Sequence, residues 1–221
     1  MLDKPLRWLA RLTGKLRPPT VPVKELSERD RRRILRHFLA LDNSDRLLRF
    51  GSILRDEQVT AYVDKIDFTH DIVFGVVNNM FQVVGVAHLA FMPAESTLQR
   101  PGATTKERVA EFGVSVSKSA RGKGVGSRLF ERAAIHCRNT DIDTLYMQCL
   151  SSNKTMMHLA RKAGMEIKRD HSETDAYLHL PPPSSASVLQ EAFEEQFATL
   201  DYAVKANARA VGKWFLPKKP K

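Results

Sequence analysis

The sequence predicts an α/β fold of the α+β kind, one sheet flanked by helices with a helical extension at each end. Three observations carry this. Glu111-Phe112-Gly113-Val114-Ser115-Val116 alternates as a strand does, and beyond a glycine-rich turn Leu129, Phe130, Ala133, Ala134 and Cys137 recur at helical spacing. Strand-like and helix-like patterns then fill the chain from Thr20 to Leu180. Pro18-Pro19 and Pro181-Pro182-Pro183 separate that stretch from an amphipathic pattern on either side. The expected organisation is a basic amphipathic helix in 1–19, a central domain in 20–181, and an amphipathic helix with a basic tail in 184–221.

Each element has a local reason. Leu2 to Leu16 places Leu6, Leu9, Leu12 and Leu16 with Trp8 on one face and Arg7, Arg11 and Lys15 around it. Thr20 to Leu26 reads as a first strand that Pro22 confines to an edge. Ser27 opens a helix, since Asp30 completes a capping-box-like start, and Ile34, Leu35, Phe38, Leu39 and Leu41 form its buried stripe. Asp42-Asn43-Ser44-Asp45 reads as a turn, and a second helix follows from Asp56 to Ile66. Asp71 to Val77 and Gln82 to Phe91 read as strands joined by a tight turn at Asn78-Asn79, with a loop from Met92 to Thr105. Arg108 to Ser117, Thr144 to Leu150, Met165 to Lys168 and Ala176 to Leu180 complete the sheet. Ala186 to Trp214 is a long amphipathic helix, and no internal repeat is present.

Composition narrows the functional classes. With 221 residues, 43% of them hydrophobic, the chain supplies one good core. Cys137 and Cys149 offer neither a disulfide framework nor metal-ligand spacing, and the histidines are scattered. A reducing, cytoplasmic setting and no metal are therefore expected. No apolar run approaches the ~20 residues that span a bilayer. The first residues alternate charge with apolar groups and lack a signal-peptide core. The net charge of +10 exceeds what one small anionic ligand needs. Much of it sits at the ends: Met1 to Lys24 has Asp3 as its only acid, and Lys213, Lys218, Lys219 and Lys221 close the chain. Nucleic acid is not an expected partner, because no helix-turn-helix, zinc-finger or RNA-binding signature accompanies the charge.

The functional signal lies in Arg121-Gly122-Lys123-Gly124-Val125-Gly126, between a strand and a helix. Glycines let a ligand approach the backbone, first-turn N–H groups lack intrahelical partners, and the helix dipole favours anions there. Lys123 and Arg128 add charge, so the site suits a pyrophosphate. The spacing is neither that of a P-loop nor that of a dinucleotide-binding fingerprint. Arg-x-x-Gly-x-Gly five residues after a Val-x-Val strand resembles the acetyl-CoA signature of the GNAT superfamily of N-acetyltransferases. Asn153 to Met165, an Asn opening a helix that closes at Gly164-Met165, resembles that family's second signature. The resemblance implies the GNAT fold, with a central mixed, mostly antiparallel twisted sheet of about six to seven strands between helices.

The resemblance also implies roles. Val114, Ser115 and Val116 would pair with the pantetheine arm of acetyl-CoA. Gly122 to Gly126, with Arg121, Lys123, Val125 and Ser127, would hold its pyrophosphate, and Asn153 would contact the arm. An amine acceptor would attack the thioester directly in a ternary complex, its proton taken by a base. Members that acetylate peptide N-termini carry a Glu and a Tyr where this chain has Gln148 and Ala160, which argues against that activity. Glu111 resembles instead the base of histone and bacterial protein-lysine acetyltransferases. An acid flanked by apolar residues in a sheet loses solvation, which suits it to accept a proton near neutrality. Ser44 to Phe50 is also similar to a segment of the bacterial lysine enzymes. Tyr146, on the strand face of Gln148, is a candidate acid, though a strand Tyr also serves for packing.

The expected function is acetyl transfer from acetyl-CoA to a primary amine, protein lysine ahead of a small-molecule amine. The alternative is a noncatalytic acyl-CoA-binding or membrane-associated regulator. The amphipathic ends read either as peripheral contacts with anionic membrane or as helices packed on the core or on a second subunit of a homodimer. For the C-terminal helix packing is the expectation, because Glu191, Glu194, Glu195 and Asp201 occupy its middle.

Overall fold

The computed structural model describes residues 20–91 and 107–215. The amphipathic pattern of residues 2–16 and the loop from 92 to 105 lie outside the described residues. The element order is β1 (Lys24–Leu26), a 3₁₀ turn (Glu28–Asp30), α1 (Arg31–Leu39), α2 (Asn43–Phe50), α3 (Asp56–Asp64), β2 (Ile72–Val77) and β3 (Val83–Phe91). It continues with β4 (Val109–Val116), α4 (Val125–Asn139), β5 (Thr144–Leu150), α5 (Lys154–Ala163), β6 (Glu166–Asp170), β7 (Glu173–His179) and α6 (Ser185–Phe215). The strands form one sheet in the order β1-β2-β3-β4-β5-β7-β6. All neighbours are antiparallel except β4 and β5. The mixed, mostly antiparallel sheet expected from the sequence is therefore present.

Side-chain alternation divides the core into two layers. Ala110, Phe112 and Val114 of β4 point to the layer of α4 and α5, where Phe112 meets Phe130 edge-on at 5.3 Å. On the other face Ile34 and Phe38 of α1 and Val59 and Val63 of α3 pack over Val73, Val83 and Val86. The expected stripe of α1 is graded: Ile34, Phe38 and Leu41 are buried, while Leu35 and Leu39 are half-buried. The expected capping contact is present, the Ser27 N–H donating to Asp30 Oδ2 at 3.2 Å, but it opens the 3₁₀ turn Glu28–Asp30; α1 itself starts at Arg31, with Asp30 as its N-cap.

Two local expectations are corrected. Asp42 to Asp45 is not a free turn: Asp42 is the N-cap of α2, its Oδ1 accepting the Asp45 N–H at 2.9 Å. Asp, Asn and Ser serve turns and N-caps alike, because their short side chains bond nearby backbone N–H groups, so local chemistry does not separate the two. Gly51 closes α2 at φ 72°. Three α-helices, not two, thus stand between β1 and β2. The first strand is also shorter than Thr20 to Leu26, since only Lys24–Leu26 finds partners on β2.

The C-terminal helix packs on α4 and β1 through its acids. Glu191 Oε1 accepts from Arg132 Nη1 at 2.6 Å and lies 2.8 Å from His136 Nδ1, while its Oε2 accepts from Asn139 Nδ2 at 2.7 Å. Glu195 pairs with Arg132 at 3.2 Å and with Lys24, and Glu194 pairs with Arg128 at 3.2 Å. Arg132 is 1% exposed, its guanidinium lying 4.7 Å from the Phe74 ring centroid. Farther along, Tyr202 donates to Asp30 Oδ1 at 2.6 Å and Lys205 to the Val77 carbonyl at 2.9 Å. Burial pushes the Glu191 carboxyl upward, but the bonds from His136, Arg132 and Asn139 outweigh it and leave the group depressed to about 2.

Candidate active site

The site begins where β4 and β5 part. Their parallel pairing stops at Glu111 and Tyr146, yet β4 continues to Val116 and β5 to Leu150. The Ser117 N–H bonds back to Val84 on β3, so backbone groups two and four residues earlier also face β3. The intervening residues face the other way, as the Val116 carbonyl shows by accepting from Arg121 Nε at 3.1 Å. Val114, N–H and C=O together, and the Val116 N–H therefore point into the gap without a sheet partner. An extended ligand arm can occupy that edge as an added strand.

At the far end of the gap lies an anion nest. Gly122 and Gly124 have φ of 72° and 76°, and a Cβ built on either would meet nothing within 4 Å. Gly124 is the N-cap of α4, so the first amides of that helix open onto this space. The nest and gap form one cavity of about 390 Å³. It is lined by Val114, Ser115, Val116, Arg121, Gly122, Gly124, Val125, Gly126, Ser127 and Asn153 among the residues singled out from the sequence. Lys123 does not line it; its Nζ donates to the Ser119 carbonyl at 2.8 Å. Arg121 lies at the rim but is partly engaged, pairing with Asp45 at 2.6 Å as well as with the Val116 carbonyl. Arg128 turns away toward Glu131 and Glu194, which removes the charge expected beside the nest. Asn153 is buried and caps α5, accepting the Met156 N–H at 3.1 Å, while its Nδ2 reaches the Leu48 carbonyl at 3.4 Å.

A second cavity of about 260 Å³ adjoins the first and shares Leu48, Arg49, Val114 and Met156 with it. Glu111, Gln148, Cys149 and Glu173 line it from the sheet, and Phe50 and Gly51 from the end of α2. Glu111 is exposed, so the desolvation expected for it is absent; what the structure supplies instead is access to the cavity. Gln148 donates to Glu173 Oε2 at 3.0 Å. Tyr146 stands outside both linings. It is 8% exposed, its hydroxyl donates to Asp175 at 2.8 Å, and burial followed by that carboxylate pushes its pKa upward. A phenol held in this way is a poor proton donor, which corrects the candidate acid. Ala160 is buried in the core.

Two groups to which sequence reading gave no role hold the site together. Arg49 lies across Gly113, where a Cβ would come within 2.5 Å of its Nη2. Its Nη2 donates to Tyr62 at 2.8 Å, Tyr62 contacts His88 Nδ1 at 2.8 Å, and His88 Nε2 contacts Asp71 at 3.0 Å. The glycine inside the alternating strand was the available sign of close approach. His37 on α1 contacts Ser115 Oγ at 2.7 Å and so holds β4 from the face opposite α4.

Burial depresses His37 to about 4. The unfolded chain then takes up the proton first, so stability is complete above about pH 6.5 and falls as pH drops toward about 4. The full loss is on the order of 3 kcal/mol. Urea unfolding should show this decline between pH 6.5 and 5, and His37→Asn should flatten it; an unchanged slope in the variant would assign the decline to other groups.

Among the described residues, no group of three or more His, Cys, Asp or Glu side chains is placed to hold a metal ion. No helix there is long and apolar enough to cross a membrane. No curated protein matches the chain. Solved structures share the fold. The GNAT domain of S. lividans PAT is 20% identical with a TM-score of 0.58, over 72% of this chain and 89% of that one. Arabidopsis thaliana NAA60, solved with a bisubstrate analogue, is 10% identical with a TM-score of 0.57, over 74% and 100%. A phosphinothricin acetyltransferase from Sinorhizobium meliloti, solved with AcCoA, is 15% identical with a TM-score of 0.56, over 76% and 95%. At these identities the likeness is one of fold. The model of the acetyltransferase (GNAT) family matches residues 16–165, a stretch that contains the nest, the parted strands, the first cavity and every lining residue of the second except Glu173. The chain belongs to the acetyltransferase (GNAT) family.

Proposed function

We propose that this protein is an acetyl-CoA-dependent N-acetyltransferase acting on a primary amine, with protein lysine ahead of a small-molecule amine. One observation carries the reading. The gap between β4 and β5 joins an anion nest at one end to a separate cavity with Glu111 at the other. Acetyl-CoA bound there would supply an activated acetyl thioester. The residues fit it: the open cradle at Gly122 and Gly124 and the first amides of α4 match a pyrophosphate. The free edge at Val114 and Val116 matches the amide-bearing arm. Arg121 at the rim favours the anionic ligand over water. Asn153, by capping α5 and reaching α2, keeps the wall of that cavity in place.

The second cavity receives the acceptor. Glu111 and Glu173 outnumber Arg49 among its charged lining residues, a balance suited to an amine that arrives protonated. Glu111 would take a proton from the ammonium, directly or through one water, so that the neutral amine attacks the thioester carbon. The C–S bond then breaks and CoA leaves as its thiolate, which takes a proton from solvent. Tyr146 keeps Asp175 and the adjoining strands in register. Glu111→Gln should lower kcat by about 10²- to 10⁴-fold and leave acetyl-CoA affinity unchanged. Steady-state kinetics with lysine peptides and small amines, beside calorimetry with acetyl-CoA, checks both halves; full turnover in the variant sinks the assignment of the base. The second reading, an acyl-CoA-binding module without turnover, draws on Gln148 and Ala160. It predicts undiminished binding and no product with any amine.

A further inference from the structure

The two cavities meet at Arg49, which lines both. Its surroundings hold a cation without neutralising it. The guanidinium lies 5.8, 5.1 and 5.6 Å from the ring centroids of Phe38, Phe50 and Tyr62 and rests on Gly113. Aromatic faces attract a guanidinium but carry no charge. Among the described residues the Tyr62 oxygen is its one hydrogen-bond partner, its Nε is buried with none, and no carboxylate pairs with it. The buried Arg46 and Arg132 differ, the first pairing with Asp56 and the second with Glu191 and Glu195. A half-buried cation without a counter-ion is costly unless a ligand supplies one.

The hydrogen bonds behind Arg49 run in one direction. Nη2 donates to the Tyr62 oxygen, so the Tyr62 O–H goes to His88 Nδ1 and the His88 Nε2–H to Asp71. Burial foremost holds His88 below the usual imidazole value, and the neutral ring is the form that accepts from Tyr62 while donating to Asp71. A phenol and a neutral imidazole thus fix the guanidinium from behind and leave its charge to the cavities.

We infer that Arg49 binds a carboxylate of the acceptor, so that the second cavity takes an amine with a carboxylate close to it. The assignment rests on the acetyl-transfer reading above and narrows its acceptor. In that cavity Glu111 and Glu173 answer the ammonium and Arg49 the carboxylate, so a zwitterionic acceptor meets an opposite charge at each end. The planar fork of an arginine suits two carboxylate oxygens. One chemistry has two sources here: a free amino acid, or a protein lysine with an acidic residue beside it.

Matched acceptor pairs test this in steady-state kinetics at saturating acetyl-CoA. Free lysine and cadaverine differ by the carboxylate alone, and blocked Asp-Lys and Asn-Lys dipeptides by the flanking charge. The wild type should favour the carboxylate member of one pair by about tenfold or more in kcat/KM, and the pair that shows it identifies the source. Arg49→Met should bring that ratio to within about twofold of unity. Because the ratio compares two acceptors on one protein, a general loss of activity or stability cancels. Arg49→Lys, which keeps the charge and the stacking but not the fork, should fall between the two. Ratios near unity for both pairs in the wild type overturn the inference without any variant. A preference that survives Arg49→Met overturns it too; if turnover then falls equally for both members, Arg49 serves the thioester oxygen instead. No product with any amine is a separate result, which sinks the transferase reading and the acceptor assignment with it.

Discussion

Gly124→Glu is expected to weaken acetyl-CoA binding at least about 100-fold while leaving the protein folded, an energy of about 3 kcal/mol at the nest. The size follows from two losses. The carboxylate would occupy the space where the α4 amides converge, and it would meet the pyrophosphate as a like charge in the first turn of a helix. The fold should survive because a Cβ at Gly124 meets nothing within 4 Å. Its cost is confined to the backbone, where φ of 76° is unfavourable for an L side chain by about 1–2 kcal/mol. Gly124→Ala carries the same strain without the charge and should bind within about tenfold of the wild type. Calorimetric titration of the three proteins separates the effects. Equal loss in both variants would place the determinant in loop geometry rather than in the amides' affinity for an anion.

Arg132→Met should be the most destabilising single change away from the cavities, by about 3 kcal/mol in urea unfolding. Arg132 has no appreciable contact with water and answers two carboxylates of α6, Glu191 and Glu195. Removing it leaves those half-buried acids with His136, Asn139, Lys24 and the Thr199 hydroxyl as partners. Met nearly conserves the volume and the contact with Phe74, so the loss is electrostatic rather than a cavity. Arg132→Met combined with Glu191→Gln should recover part of it, since the second change removes one uncompensated charge. The pair also bears on the site: α6 steadies α4, whose N-terminus forms the nest. Arg132→Met should therefore raise the Kd for acetyl-CoA only slightly when measured well below the unfolding transition.

The elements were legible wherever a local rule was strong. The alternation of β4, the glycines and periodicity of α4, and Asn153 with Gly164 at the ends of α5 each state their structure within a few residues. α2 was misread because Asp42, Asn43 and Ser44 suit a turn and a helix start equally. Only contacts farther along decide between them, such as Arg46 reaching the Leu39, Leu41 and Leu54 carbonyls. The candidate site was legible in its backbone part and less so in its side chains. Lys123 and Arg128 look alike in sequence as neighbours of an anion nest, yet both are engaged elsewhere. Arg49 stood out only as part of the Ser44 to Phe50 resemblance and His37 not at all, because their partners are 13 or more residues away.

What the sequence by itself determined is the set of short-range facts: which segments alternate, which repeat at helical spacing, and where glycines permit a left-handed turn. Those facts placed the acetyl-CoA signature between a strand and a helix. Tertiary structure alone decided that β4 and β5 part after Glu111, that Tyr146 is spent on Asp175, and that α6 docks through its acids with its leucines outward. The physical reason is range. Backbone preferences and side-chain spacing act over a few residues, whereas burial, ion pairing and exposure depend on which distant segments the sheet brings together.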